Sequence, residues 1–268
     1  MNSRAKTYPD PMLSIVIPVH NEAEVIPTLL NRLTQVTRTL DGPVELLFVD
    51  DGSRDNSVAL LLQARRRHPG IRVLQLSRNF GKEAAVSAGL QHARGEAVIL
   101  MDADLQDPPE RIPDMLAAWR KGADVVLMKR RTRAGESWLK RLTAHLFYRL
   151  INRISDAPIP VDTGDFRLMS RRTVDALNRL PERNRYLKGM FAWVGMPTVT
   201  LEFDRDPRLA GRTKWNYLKL MHLAMEGITS FSTRPLRLAL VLGLLAAGTG
   251  GLFGVWEVLK ALIFGIDT

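Results

Sequence analysis

Apolar, β-branched runs recur along the first half of the chain at Leu13–Val19, Val44–Val49, Ile71–Leu76, Ala97–Met101 and Ala123–Met128. The stretches between them have helical spacing. In Val25–Leu40, for example, Leu29, Leu30, Leu33, Val36 and Leu40 return every three or four residues, as a helix covering a sheet requires. Runs that are apolar throughout, rather than alternating, suit strands buried on both faces, and strands joined by crossover helices run parallel. The pattern predicts an α/β fold with a mostly parallel sheet covered on both sides.

After Lys129 this rhythm breaks. Ser137–Arg153 places Leu139, Leu142, Leu146 and Leu150 on one helical face and Arg141, His145, Arg149 and Arg153 elsewhere, and Trp215–Phe231 is a second amphipathic segment. Leu238–Trp256 then runs nineteen residues without a charge, nearly enough at about 1.5 Å per residue to span a hydrocarbon core of roughly 30 Å. These features predict a disordered lead at 1–10, a large α/β domain at 11–214, a juxtamembrane amphipathic helix at 215–235 and a transmembrane helix at 236–264. Arg234 and Arg237 crowd the N-terminal flank of the span, which by the positive-inside rule leaves the large domain cytoplasmic. Gly250 and Gly254 form a small-residue pair that suits close approach of two spans.

Charge sharpens this picture. Lys and Arg outnumber Asp and Glu by 38 to 28, and beyond Arg237 only Lys260, Glu257 and Asp267 are charged, so the excess sits upstream. Such a balance attracts polyanions: nucleic acid, anionic lipid or a phosphorylated substrate. With no cysteine, disulfides, thiolate nucleophiles and Cys-ligated zinc are excluded. Met1–Asp10 has no apolar core of signal-peptide type, so export is not expected.

In an open parallel sheet, ligands bind outside the carboxyl ends of the strands, and here those ends are densely polar. Asp102-Ala103-Asp104-Leu105-Gln106 offers two carboxylates and an amide oxygen, hard ligands suited to Mg²⁺ or Mn²⁺. The Asp107-Pro108-Pro109-Glu110 stretch that follows reads as a helix cap, with Asp107 as the capping acid. Asp50 and Asp51 suit a base edge or ribose hydroxyls, Glu22 is a weaker candidate of the same kind, and Ser53 and Asp55 could equally cap the helix after them. No Gly-x-Gly-x-x-Gly follows the first strand and no Gly-Lys-Ser/Thr occurs, which removes the main support for dinucleotide oxidoreductases and P-loop ATPases.

Five ordered motifs carry a resemblance: Ile15-Val16-Ile17-Pro18-Val19-His20-Asn21-Glu22, Val49-Asp50-Asp51-Gly52-Ser53-Arg54-Asp55, Ser77-Arg78-Asn79-Phe80-Gly81-Lys82, Asp102–Gln106 and Gly164-Asp165-Phe166-Arg167-Leu168. From about Leu13 onward the chain resembles family 2 glycosyltransferases, in the branch of dolichyl-phosphate mannose synthase and the bacterial bactoprenol glucosyltransferases. The resemblance implies a GT-A nucleotide-sugar-binding fold and inverting transfer to a polyprenyl phosphate such as undecaprenyl phosphate. It implies a nucleotide-sugar site at Pro18, Glu22, Asp50, Asp51, Ser53 and Asp102, and Mg²⁺ or Mn²⁺ at Asp102, Asp104 and Gln106. The acceptor phosphate falls to Arg130, Arg141, Arg212 and Lys214, and the catalytic acid to Asp165, with Asp162 second. UDP-glucose is the first expectation for the donor, ahead of GDP-mannose and amino-sugar donors. An inner-membrane homo-oligomer, a tetramer, is also implied, with no nucleic-acid partner.

Two departures accompany the resemblance: position 20, usually Tyr, is His here, and the bacterial branch usually has two spans where one is legible, so the second is expected to be missing from this chain. The Gln-x-x-Arg-Trp of processive synthases is absent, which favours transfer of a single sugar. From a different class, a non-catalytic, membrane-anchored polyanion-binding protein would explain the basic excess but would not need the strand-end acids.

Overall fold

The computed structural model describes residues 12–131, 163–182, 185, 187–203 and 234–265. Its elements are β1 (Leu13–Val19), α1 (Ile26–Thr37), β2 (Val44–Asp50), α2 (Ser57–Arg67), β3 (Ile71–Gln75), α3 (Lys82–His92), β4 (Ala97–Leu100) and α4 (Ile112–Arg120), followed by β5 (Val125–Arg130), β6 (Thr163–Ser170), α5 (Arg171–Arg179), α6 (Leu187–Val194), β7 (Thr198–Phe203) and α7 (Arg234–Phe264). The strands form one sheet in the order β3-β2-β1-β4-β6-β5-β7. The five expected strands are present. The amphipathic segments Ser137–Arg153 and Trp215–Phe231 lie outside the described residues.

Both faces of the sheet are buried, for the reason the continuous apolar runs suggested. Leu13, Ile15, Ile17 and Val19 of β1 pack in one core with Leu29 and Leu33 of α1, while Val16 faces a second core with Val49, Ala85, Val86 and Leu90. Helix α3 lies unusually close to the sheet. A Cβ at Gly89 would sit 2.3 Å from Val16 Cγ1, so only glycine fits between helix and strand.

Two strands escaped the sequence pattern and change the topology. β6 lies between β4 and β5 and runs antiparallel to both, while β7 pairs parallel with β5 at the edge. Phe166 and Leu168 of β6 enter the first core and Met169 the second. Where β6 ends, the Ser170 hydroxyl donates to Asp124 Oδ1 at 2.8 Å and caps α5 through Thr173 N, while Arg172 pairs with Asp124 Oδ2.

Helix α7 is different in kind. Ala239–Phe264 is long and apolar enough to cross a membrane, and none of it is buried against the rest of the described residues.

The Asp124 clip yields a stability prediction. The Ser170 hydroxyl, helped by Arg172 and opposed by partial burial, holds the Asp124 carboxyl below its ordinary value of 3.8. Asp124→Asn is therefore expected to cost about 1–2 kcal/mol at neutral pH. Because the folded-state value is depressed, the wild-type advantage is present above the unfolded-state value and is lost as pH falls through the folded one. Urea unfolding at pH 7 and at pH 3 checks this; an equal wild-type advantage at both would refute the assignment.

Candidate active site

Strand order reverses between β1 and β4: β2 and β3 lie to one side of β1, and the later strands to the other. A crevice outside the carboxyl ends of these two strands is the expected ligand site of an open α/β sheet. A cleft of about 330 Å³ lies there, lined by Pro18, His20 and Glu22 after β1, Asp51 after β2, Asn79 and Lys82 after β3, and Asp102 and Asp104 after β4.

Hydrogen bonds bind the loops of the first three strands into a clasp. His20 Nδ1 lies 2.8 Å from the carbonyl of Asp51. A carbonyl only accepts, so Nδ1 carries the proton and Nε2 is an acceptor. The carboxamide nitrogen of Asn21 lies 3.1 Å from Nε2 and donates to it, while that of Asn79 sits beside the ring, 3.1 Å from Nε2 and 3.3 Å from Nδ1. Asn21 is oriented in turn by Arg54 N–H, which donates to its Oδ1 at 2.8 Å. The Asp51 carboxylate accepts the amides of Phe80 at 2.7 Å and Gly81 at 2.9 Å, fixing the start of α3. Gly52, at φ +68°, lets the β2 and β3 loops touch; a Cβ there would lie 2.6 Å from the backbone of Arg78 and Asn79.

The β4 loop is held by its own acids. Asp107 Oδ2 accepts Asp102 N–H at 3.3 Å and Asp104 Oδ1 accepts Gln106 N–H at 3.2 Å. Between them Leu105 is fully buried with φ at +60°, a left-handed conformation that costs a non-glycine residue about 1–2 kcal/mol. The helical turn at Pro109–Arg111 begins from Pro108, one residue after the expected capping position. Asp107 bonds back to the strand end, and Glu110 pairs with Arg32 of α1 at 2.6 Å.

Gln106 Oε1 is buried with no hydrogen-bond partner among the described residues. Two carboxylates and an orphaned amide oxygen within five residues fit a hard cation. Among the described residues no three His, Cys, Asp or Glu side chains gather as a closed metal site. A partial set of hard oxygen donors of this kind suits Mg²⁺ or Mn²⁺, cations that ordinarily complete their shells with phosphate and water.

β6 brings the remaining acid. Leu100 pairs with Arg167 in the antiparallel register, and continuing that register by two residues sets Asp165 opposite Asp102. The Lys82 ammonium lies between them, 2.6 Å from Asp102 Oδ1 and 2.6 Å from Asp165 Oδ2. Desolvation works against its charge, but the two carboxylates outweigh it and hold the ammonium above its ordinary value. Arg167, almost fully buried, donates to the Gly164 carbonyl at 3.1 Å and stacks 3.9 Å over the Phe191 ring. Burial brings Arg167 down to about 10 against the pull of Asp165 and Glu83, so it stays charged at neutral pH.

Of the predicted residues, the cleft gathers Pro18, Glu22, Asp51, Asp102 and Asp104, with Asp165 joined through Lys82. Asp50 and Ser53 stand behind it. Asp50 is buried and accepts Ser53 N–H at 3.2 Å, and Ser53 Oγ accepts Asn21 N–H at 2.9 Å. Gln106 likewise stands behind the lining. Arg130 ends β5, while Asp162, Arg141, Arg212 and Lys214 lie outside the described residues. Lys82, His20 and Asn79 carried no assigned role in the sequence. The available signal was a lysine at the first position of a helix, against the helix dipole.

The family model for glycosyl transferase family 2 matches residues 14–177, a span that holds every residue named as lining the cleft. The chain belongs to glycosyl transferase family 2. Over 253 residues it is 45% identical to the prophage bactoprenol glucosyl transferase homolog of Escherichia coli, covering 94% of this chain and 83% of that protein. It is 46% identical to the bactoprenol glucosyl transferase of Shigella phage SfV, covering 94% and 82% of the two chains. In fold it is similar to the mannosyltransferase PcManGT of Pyrobaculum calidifontis, solved with GDP-Man and Mn²⁺, with a TM-score of 0.53 at 17% identity, covering 95% of this chain and 81% of that one. The architecture of this glycosyltransferase is accordingly GT-A.

His20→Phe keeps the ring volume but removes the clasp. Amide hydrogen exchange at Phe80 and Gly81 is expected to accelerate about tenfold or more while the core amides of β1 and β4 stay protected. Unchanged exchange at those two amides would show that His20 does not hold the loops together.

Proposed function

We propose that this glycosyltransferase moves one glucose from UDP-glucose to undecaprenyl phosphate at the cytoplasmic face of the inner membrane, inverting the anomeric carbon. The observation that carries the reading is the cleft at the β1/β4 reversal, where Asp51, Asp102, Asp104 and Lys82 converge. The bactoprenol glucosyl transferases at 45–46% identity over nearly the whole chain support the acceptor and the sugar.

Asp51 lines the cleft with Pro18 and Glu22, and this reading assigns the three to the nucleotide-sugar. Asp102, Asp104 and Gln106 would hold Mg²⁺ or Mn²⁺, which when bound neutralises charge on the departing diphosphate. The acceptor is a phosphate monoester, largely dianionic at neutral pH with a second pKa near 6. It needs positioning more than deprotonation. In a single displacement, a phosphate oxygen attacks the anomeric carbon, the bond from that carbon to the diphosphate breaks, and UDP leaves. Asp165 orients the acceptor or the sugar, with Asp162 as the second candidate, and Arg130, Arg141, Arg212 and Lys214 supply the cradle for the lipid phosphate.

Helix α7 is the membrane anchor of this reading. The 26 residues of Ala239–Phe264 extend about 39 Å as a helix, more than a hydrocarbon core of roughly 30 Å requires.

Incubation of membranes carrying the protein with undecaprenyl phosphate and a panel of nucleotide-sugars, followed by the mass of the lipid product, tests the reading. One added hexose from UDP-glucose is expected; turnover only with GDP-mannose or a UDP-amino-sugar would replace the donor, and no product with any donor would overturn the reading. Asp104→Asn should abolish cation-dependent turnover while thermal unfolding changes little. Arg141→Ala, assayed in detergent so that bulk lipid charge is absent, should weaken acceptor use roughly ten- to a hundredfold, as loss of one charge-assisted hydrogen bond implies. Donor KM should stay near the wild-type value; an equal loss for both substrates would remove Arg141 from the cradle.

A further inference from the structure

One group in the cleft is left unexplained by donor, cation and acceptor. The Lys82 ammonium bonds two carboxylates on adjacent strands: Asp102, a candidate cation ligand, and Asp165, the candidate catalytic acid. Its position is electrostatically costly for a merely structural lysine. It is the first residue of α3, where the unpaired amides of the helix already present partial positive charge. The side chain is 44% exposed toward the cleft, so it is not core packing that keeps it there.

Two carboxylates brought together by β-pairing repel each other, and one cation must stand between them. Lys82 supplies that cation from within the chain. Asp102 Oδ1 cannot hold this ammonium at 2.6 Å and give its full charge to a divalent cation at the same time. A nucleoside diphosphate, however, is an anion that enters the same cleft and offers the ammonium a third partner. The stem of a lysine is long and flexible enough to exchange one oxygen for another.

We propose that Lys82 couples cation binding to nucleotide binding: it occupies Asp102 in the free enzyme and releases it to the cation when the diphosphate draws the ammonium away. Lys82 is thus a positioning residue that keeps the cation site weak until nucleotide arrives. This rests on the reading of Asp102 and Asp104 as cation ligands given above.

The test uses the full chain in detergent and follows free Mn²⁺ by electron paramagnetic resonance, with and without UDP. Wild-type protein is expected to bind Mn²⁺ weakly alone and at least tenfold more tightly with UDP. In Lys82→Met, Mn²⁺ alone should bind about tenfold more tightly than to wild type, the gain from UDP should shrink, and UDP without cation should bind about tenfold more weakly. Lys82→Arg, which keeps the charge, should restore the wild-type pattern, separating this role from a packing defect. Identical Mn²⁺ affinities in wild type and Lys82→Met, in both conditions, would overturn the coupling and leave the cation site standing. Absence of Mn²⁺ binding to either protein even with UDP would overturn the cation site and the coupling together.

Discussion

The site depends on one strand that runs against its neighbours. Had β6 been parallel, the end carrying Asp165 would lie at the amino edge of the sheet, a strand length away from the cleft. Reversal brings its first residues to the carboxyl edge, and the pairing of Leu100 with Arg167 leaves no freedom in where Asp165 falls. Hydrogen-bond register thus performs a task that loops usually perform: it sets the separation of two candidate site carboxylates with the stiffness of a sheet. Arg167 reinforces the placement by binding the Gly164 carbonyl and stacking on Phe191 of α6, so the strand end is held from the helical layer as well.

The other half of the cleft is built by a different device. Three loops after three parallel strands have no ladder to align them, and short polar side chains align them instead. His20, Asn21, Ser53 and Asp51 each make a bond from one loop to another. Backbone strain concentrates in the same places: the only non-glycine residues with positive φ among those described are Asn21 at 55° and Leu105 at 60°, one after β1 and one after β4. Asparagine tolerates that conformation with little cost. Leucine does not, and its complete burial is what offsets the strain.

Much of this was legible in the residues because it follows from local rules. Continuous apolar runs announce doubly buried strands, and acids directly after such runs are placed at the carboxyl edge by chain geometry alone. β6 was not legible because Asp165 and Arg167 interrupt its apolar positions, and a charged residue inside a short run ordinarily argues for a surface. Arg167 is buried only because partners distant in sequence, Phe191 and the charge of Glu83, await it. β7 is an edge strand with most of its residues exposed, so it lacks the continuous apolar signal. Lys82 depends on a long-range convergence of α3, β4 and β6, which spacing along the chain does not encode.

The glycine at position 89 constrains more than packing. With no room for even a methyl group between α3 and the side chain of Val16, the helix cannot slide along or roll over the sheet without collision. Its first turn is tethered as well, through the amides of Phe80 and Gly81 on Asp51. The backbone of Lys82 is consequently held from both sides, by the sheet and by the β2 loop. Any exchange of partners by its ammonium has to be made by torsions of a four-carbon stem, a rotation on the timescale of side chains rather than of domains. A site arranged in this way can respond to an arriving anion without the rest of the protein moving at all.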